Sequence, residues 1–304
     1  MRNLPFQQPG QFWRGNLHTH TDRSDGTLSP EAVCAYYRDN GYDFLALTDH
    51  YMERFGYPLT DAPSLRSDTF LPIVGAELHA GETSWSGLWH ILAVGLPPDF
   101  PSNVADEDGP QIATRAMQAG AFVAAAHPAW YSLCEADVLS LGRVHAIETY
   151  NGTSADHNDR PDSWYMLDAL SAQGYRYFAC ATDDAHFHPL RADVLRGWVM
   201  VKAETLTQDN ILNALKSGHF YSSTGPQILD VQVDPGECVV VRCSPASSVF
   251  VTGKGWMARQ EHGSGLREVT LSLRDFRGPY CRVTVRDAAG GRAWSNPIWF
   301  EENQ

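Results

Sequence analysis

The stretch Gly15-Asn-Leu-His-Thr-His-Thr-Asp-Arg-Ser-Asp-Gly26 decides how the rest of the chain is read, because it sets two histidines and an aspartate at the end of a strand. His18 and His20 share one face of that strand, since side chains alternate, and their backbones lie about 6–7 Å apart. One metal ion can bridge that distance. Asp25 follows in a loop shaped by Ser24 and closed by Gly26, so it can fold back toward the same point. A single His-X-His at a strand end also describes two surface histidines. What points to a site is the recurrence of similar endings along the chain.

The recurring unit is a helix that stops at glycine, followed by an apolar strand that runs to a metal-binding residue type. Ser29-Pro30-Glu31 reads as N-cap, first-turn proline and acidic first turn, with the helix stopping at Asn40-Gly41. The strand 43–47 then delivers Thr48-Asp49-His50. A helix over 110–119 stops at Gly120, and 121–126 leads to His127-Pro128. A third over 163–173 stops at Gly174, and 175–181 leads to Thr182-Asp183-Asp184-Ala185-His186. Further strands are expected at 70–75, running to Glu77, at 90–95, and at 146–150, ending at Asn151-Gly152.

Short apolar strands alternating with amphipathic helices imply a parallel sheet covered by helices, and about seven such strands close most economically into a barrel. Parallel barrels gather functional groups at the C-terminal ends of their strands, which is where His18, His20, His50, Glu77, His127, Asp184 and His186 fall. Imidazoles and carboxylates buried together without partners are costly, and metal cations supply the partners.

Composition narrows the class. The chain has 304 residues, 43% hydrophobic and 19% charged, enough for one large domain and a small one. With 23 Lys+Arg against 36 Asp+Glu its formal net charge is −13, which argues against a nucleic acid polymer or an anionic membrane as partner. The N-terminus has no apolar core of signal-peptide length, and no run approaches the roughly 20 apolar residues of a membrane span, so a cytoplasmic location is expected. The six cysteines form no Cys-X-X-Cys, and Cys238 and Cys243 would face opposite sides of a strand. No serine elbow, Walker loop or dinucleotide fingerprint follows a strand.

His18-Thr-His20, Ser24-Asp25-Gly26, Thr48-Asp-His50, Gly75-Ala-Glu77, Ala126-His127-Pro128 and Asp184-Ala-His186 resemble, in order, the motifs of the PHP (polymerase and histidinol phosphatase) family of metal-dependent hydrolases. The resemblance covers about residues 13–225 and is closest to the branch of small phosphoesterases and carbaryl-hydrolase-like enzymes. It implies a distorted (β/α)7 barrel holding two or three divalent ions. Carried over motif by motif, His18, His20, Glu77 and Asp184 would hold one ion. Glu77 would bridge to a second, held by His127 and His90, and Asp25, His50 and His186 would hold a third. Asp25 stands where some branches carry histidine. Glu77, Asp184 and His186 are the residues on which turnover would depend.

Ligation by histidine and carboxylate without cysteine suits Zn²⁺, Mn²⁺ or Fe²⁺, and bridged ions can lower the pKa of a shared water to make a bridging hydroxide. The expected activity is hydrolysis of a small phosphomonoester or cyclic phosphodiester. The alternatives are a carbamate, ester or amide hydrolase, or a non-catalytic metal-stabilised binding module. Asn151, His188 and Arg191 are candidate substrate contacts. His79 shares the face of Glu77 and could line the pocket, and Asp49 and Asp183 are expected to orient neighbours. Loop aromatics Trp85, Trp89, Trp130, Tyr131 and Tyr150 suggest a flat or apolar substrate portion. A last barrel helix begins at N-cap Thr207 and stops at Gly218. From about Pro226 the pattern changes to short alternating strands separated by Gly, Pro and Ser turns, expected to form a small antiparallel β-sandwich domain over 226–304 packed against the barrel of 1–225.

Overall fold

Residues 4–300 are described, in a computed structural model. The first strand, β1 (Gln11–Asn16), leads into α1 (Pro30–Asp39), whose N-cap Ser29 accepts a hydrogen bond from Ala32 N–H at 3.3 Å. Then come β2 (Phe44–Leu47), the short β3 (His50–Tyr51), β4 (Leu71–Leu78) and β5 (Ile91–Val94). Next are α2 (Gly109–Gln118), closed by a capping box of Asp108 with Gln111, and β6 (Phe122–Ala125). After α3 (Glu135–Ser140) the chain forms β7 (Ala146–Asn151), α4 (Gly152–His157), α5 (Trp164–Ala172), β8 (Phe178–Thr182), β9 (Trp198–Ala203), α6 (Gln208–Lys216) and β10 (Phe220–Ser223). The helices begun at Ser29, near 110, at Ser163 and at Thr207 stand where their caps were read. Asn151-Gly152 is not a plain turn: Asn151 caps α4, accepting from Ser154 N–H at 2.7 Å.

The ladders run in the order β9-β1-β2-β4-β5-β6-β7-β8, with β3 beside β4. Pairs β1–β2, β2–β4, β6–β7 and β7–β8 are parallel, the first and the last two joined by helical crossovers and β2–β4 by the long segment 48–70. The all-parallel expectation fails at β5, which is antiparallel to both β4 and β6. The reason is the connection: residues 79–90 return from β4 to β5 without a helix, so the chain reverses rather than crossing over. β9 is likewise antiparallel to β1 and β10. Strand residues of β2, β4, β5 and β6 are buried throughout, with Leu17, Phe44, Leu92 and Phe122 in one cluster inside the curled sheet and Ile91, Val123 and Leu167 in another under the helices.

No continuous ladder joins β8 back to β1 among the described residues. The two are joined just beyond their ends instead. Asp184 N–H donates to His18 O and His20 N–H to Ala185 O, each at 2.9 Å, and Thr19 and Ala185 form a parallel bridge. Lower down, the edge of β8 is satisfied by side chains: Ala179 N–H donates to Asn296 Oδ1 at 2.8 Å and Ala181 N–H to Ser222 Oγ at 3.0 Å. The mouth at the strand ends is therefore drawn together by backbone bonds.

Beyond residue 225 lie β11 (Ile228–Asp234), β12 (Cys238–Gly253), β13 (Ala258–Ser272), β14 (Tyr280–Arg286), β15 (Arg292–Ser295) and β16 (Ile298–Trp299), paired antiparallel over a core that includes Val231, Val239, Val251 and Val283. Strand β12 is far longer than the short strands expected here, because register shifts between Arg242 and Ser248 let it continue past the Ser244-Pro-Ala-Ser247 run that reads as a turn. β15 also pairs with β10, so these strands continue the sheet of the preceding 225 residues rather than standing apart. All six cysteines are free.

Candidate metal centre

All the candidate ligands except Asp25, which an exposed loop carries, stand at strand ends of one mouth. His18 and His20 follow β1, are fully buried, and have ring centroids 5.2 Å apart, so the alternation read from the sequence holds. Glu77 is near the end of β4 and His50 begins β3, which pairs with it as His50↔Glu77. His90 reaches the same mouth for the opposite reason. It precedes β5, and an antiparallel strand begins where its parallel neighbours end. His127 follows β6, and Asp184 and His186 follow β8. His127 and Asp184 take positive φ angles, 26° and 54°, a conformation L residues rarely adopt and that clusters at functional sites.

The Glu77 carboxylate is the hub. Its Oε1 lies 2.6 Å from His90 Nδ1, 3.0 Å from His127 Nε2 and 3.6 Å from His18 Nε2. Its Oε2 lies 2.6 Å from His50 Nδ1 and 3.6 Å from His20 Nε2. Asp184 Oδ1 is 2.9 Å from His20 Nε2 and 3.3 Å from His18 Nε2. Asp25 closes the outer side, 3.3 Å from His50 Nε2 and 3.5 Å from His186 Nε2. These residues fall into compact donor groups: His20, Asp25, His50 and His186; His18, His20 and Glu77; His18, His127 and Asp184; and His50, Glu77, His79 and His90. The last adds His79, whose Nδ1 donates to Trp89 O at 2.9 Å, leaving an Nε2 lone pair 2.8 Å from His50 Nδ1.

Charges in the cluster sustain one another. Burial works to raise Glu77, but His90, His50 and His18 hold its carboxyl well below the usual range. Burial and the neighbouring His186 and His50 push His20 down to about 4, so its imidazole is neutral and free to ligate at neutral pH. His50 goes the other way, up to about 10, because Glu77 and Asp25 outweigh the effect of burial. A donor set of histidine and carboxylate, with buried His18 Nε2 left without a hydrogen-bond partner, fits divalent cations.

A residue the sequence reading passed over lies behind this set. Glu148, fully buried on β7, accepts from His18 Nδ1–H at 2.8 Å, from His127 N–H at 2.6 Å, from Thr182 Oγ1 at 2.5 Å and from Asn151 Nδ2 at 3.0 Å. Burial disfavours its charge, but the His18 hydrogen bond and charge keep it ionised. The signal was present, as a lone carboxylate in the apolar strand 146–150. Asn151 is buried and its amide also donates to Asp184 Oδ2 at 3.1 Å, so it braces ligands rather than facing the cavity. Asp49 accepts from Thr21 N–H and Ser24 Oγ, each at 2.7 Å, and so holds the loop that carries Asp25. Asp183 accepts from Tyr37 Oη at 2.6 Å and from Leu195 and Gly197 N–H at 2.8 Å.

The centre opens into a cavity of about 230 Å³ whose outer wall includes Trp130, Tyr131, His157, His188, Arg191 and Asp193. Burial pushes the Tyr131 hydroxyl up, so it stays a phenol and lies 2.7 Å from His90 Nε2. Asp193, also missed, accepts from His186 N–H at 2.9 Å. Of the five loop aromatics, only Trp130 and Tyr131 are in this wall. Trp89 is buried in the core, Trp85 is exposed to solvent, and Tyr150 lines a different cavity.

No family model and no curated protein matches the chain. Solved structures do. A two-domain protein of Bacteroides vulgatus containing a predicted PHP-like metal-dependent phosphoesterase superposes at a TM-score of 0.52, with 15% identity over 98% of this chain and 99% of its own. Weaker likenesses, each at a TM-score of 0.40, are to a candidate metal-dependent phosphoesterase of Bifidobacterium adolescentis (15% identity, 67% of this chain and 96% of that one) and to an amidohydrolase of Chromobacterium violaceum (16%, 57% and 87%). The chain therefore shares the overall fold of that two-domain, PHP-like protein.

Proposed function

We propose that the chain is a metal-dependent hydrolase that cleaves a small phosphomonoester or cyclic phosphodiester. The observation that carries the proposal is the Glu77 carboxylate, within 2.6–3.6 Å of five imidazoles at the floor of an open cavity. In this reading His18, His20, Glu77 and Asp184 hold one ion, Glu77, His90 and His127 a second, and Asp25, His50 and His186 a third. Zn²⁺, Mn²⁺ and Fe²⁺ suit the donors equally. When bound, such ions supply Lewis acidity and a water acidic enough to attack at neutral pH.

The chain's own residues do the rest. Glu148 holds the His18 ring by its Nδ1–H and so aims Nε2 into the centre. Tyr131, protonated by burial, can turn its O–H from His90 to a substrate oxygen, and Arg191 and His188 face the same cavity with donors for a second one. The likeness to the phosphoesterase-containing Bacteroides protein favours phosphoester over carboxyl chemistry. A carbamate or ester hydrolase is the second reading, because the same donors would stabilise either anionic transition state. A rate screen with Mn²⁺ present separates them, comparing nucleoside monophosphates, cyclic phosphodiesters and aryl carbamates. Phosphate release at least about tenfold faster in kcat/KM, about 1.4 kcal/mol in transition-state energy, supports the proposal. Faster carbamate or ester cleavage overturns it in favour of the second reading.

A further inference from the structure

On β14, Arg282, Thr284 and Arg286 share one face while Val283 and Val285 point into the core, and this row, buried at Arg282 and Thr284 and half-buried at Arg286, is set against Ser248, Phe250 and Thr252 of β12. Trp294 of β15 stands opposite Thr284, and Arg292 stands opposite Arg286. Arginines as direct cross-strand partners repel and destabilise the pair. Arg282 is neutralised by Asp168, at 2.7 Å. Among the described residues no carboxylate lies within ion-pair distance of Arg286 or Arg292; Arg286 has only Ser248 Oγ at 3.5 Å and the face of Phe250. An uncompensated arginine pair is unexpected in a chain of net charge −13.

The three arginines line a cavity of about 280 Å³ walled by Trp164, Phe250 and Trp294. Two of its lining residues carry buried polar atoms without a partner, Trp164 Nε1 and Thr252 Oγ1. The acid at its rim, Asp162, is already engaged, accepting from Trp164 N–H at 2.7 Å. The cavity shares Asp162, Arg292 and Trp294 with a neighbouring one of about 550 Å³, to which Arg196 adds a further cation and Asp287 an acid tied to its own turn by Ala289 and Gly291 N–H. Cations and N–H or O–H donors thus dominate. That is the complement of an oxyanion, and paired guanidinium forks match phosphate geometry.

We propose that this face is a second ligand site, separate from the metal centre, for a phosphate-bearing small molecule. The oxyanion lies between Arg286 and Arg292, and the organic part extends into the larger cavity. The site needs no metal and does not depend on the hydrolase reading.

Inorganic phosphate is the probe, in equilibrium dialysis at constant ionic strength with the full-length, metal-loaded protein. Arg292→Gln is the main variant, since Arg292 is exposed at the first residue of its strand; Arg286→Gln is the second. The wild type should bind one more equivalent of phosphate than either variant, or bind that equivalent at least tenfold more tightly, while hydrolytic turnover is unchanged. Without phosphate, Arg292→Gln should melt no lower than the wild type, because like-charge opposition is relieved, and phosphate should raise the wild-type Tm more than the variant's. Equal stoichiometry and affinity in wild type and both variants would overturn the proposal. So would loss of all phosphate binding in Asp184→Asn, which would assign the anion to the metal centre.

Discussion

Glu77 has more imidazoles around it than its two oxygens could serve as a plain hydrogen-bond acceptor, and this is where the account is most exposed to test. Glu77→Gln and Asp184→Asn should each lower kcat at least about a hundredfold and reduce bound metal, while circular dichroism shows a folded chain. Near-normal kcat with full metal content in either variant would show the ligand assignment to be wrong. Glu148→Gln should act more gently. An amide keeps the shape but gives up the charge facing His18, so metal affinity should fall about 10–100-fold, read by competition with a chelator. Unchanged affinity would make Glu148 a packing residue only. His145 provides the contrast. It accepts from Val123 N–H at 3.1 Å far from the centre, and burial, with Lys216, holds its pKa below 6.5. Because the native ring resists protonation, the unfolded chain binds more protons as pH falls below about 6.5, so its contribution is present above that value and lost as pH falls through the lowered one. His145→Asn should therefore leave turnover intact and flatten the loss of stability as pH falls below about 6.5. Equal slopes would refute this.

At the scale of elements, the strand–helix units that deliver His50, His127 and Asp184 were legible because caps and glycine stops bracket them and their strands are apolar on both faces. What was not legible was strand direction. Nothing in His90-Ile-Leu-Ala-Val says that β5 runs against its neighbours; that follows only from a return loop without a helix, and it explains how a residue before a strand joins residues that follow strands. Glu148 was hidden for a related reason: a carboxylate inside an apolar strand looks like a break in pattern until its four donors are seen. The side-chain closure of β8 was equally invisible. Asn296 Oδ1 accepts from Ala179 N–H while its Nδ2 donates to Gly218 O and Phe220 O at 3.1 and 3.0 Å. Asn296→Ala should leave those buried groups unpaired and cost about 1–3 kcal/mol in denaturant unfolding. A cost near zero would mean that the strand edge is satisfied in another way.

Across the whole molecule, the change of pattern near Pro226 was readable in Gly, Pro and Ser turns, but the attachment was not. The pairing of β15 with β10, the Arg282–Asp168 ion pair and the packing of Trp294 on Trp164 tie the last strands to the rest. Removing 226–304 should uncover the β10 edge and the apolar surface under Trp294, giving a chain that aggregates or melts lower even if metal still binds. A soluble truncated chain of unchanged Tm would show that the tail is only an appendage. No helix among the described residues is long and apolar enough to cross a membrane. The account as a whole stands on metal at the mouth, and elemental analysis of the purified full-length protein tests it most directly. The prediction is two to three equivalents of Zn, Mn or Fe per chain, in line with the three ions proposed for the mouth, with turnover lost on chelation and restored by Mn²⁺ or Zn²⁺. Less than one equivalent, with no activity recovered on adding either ion, would contradict it.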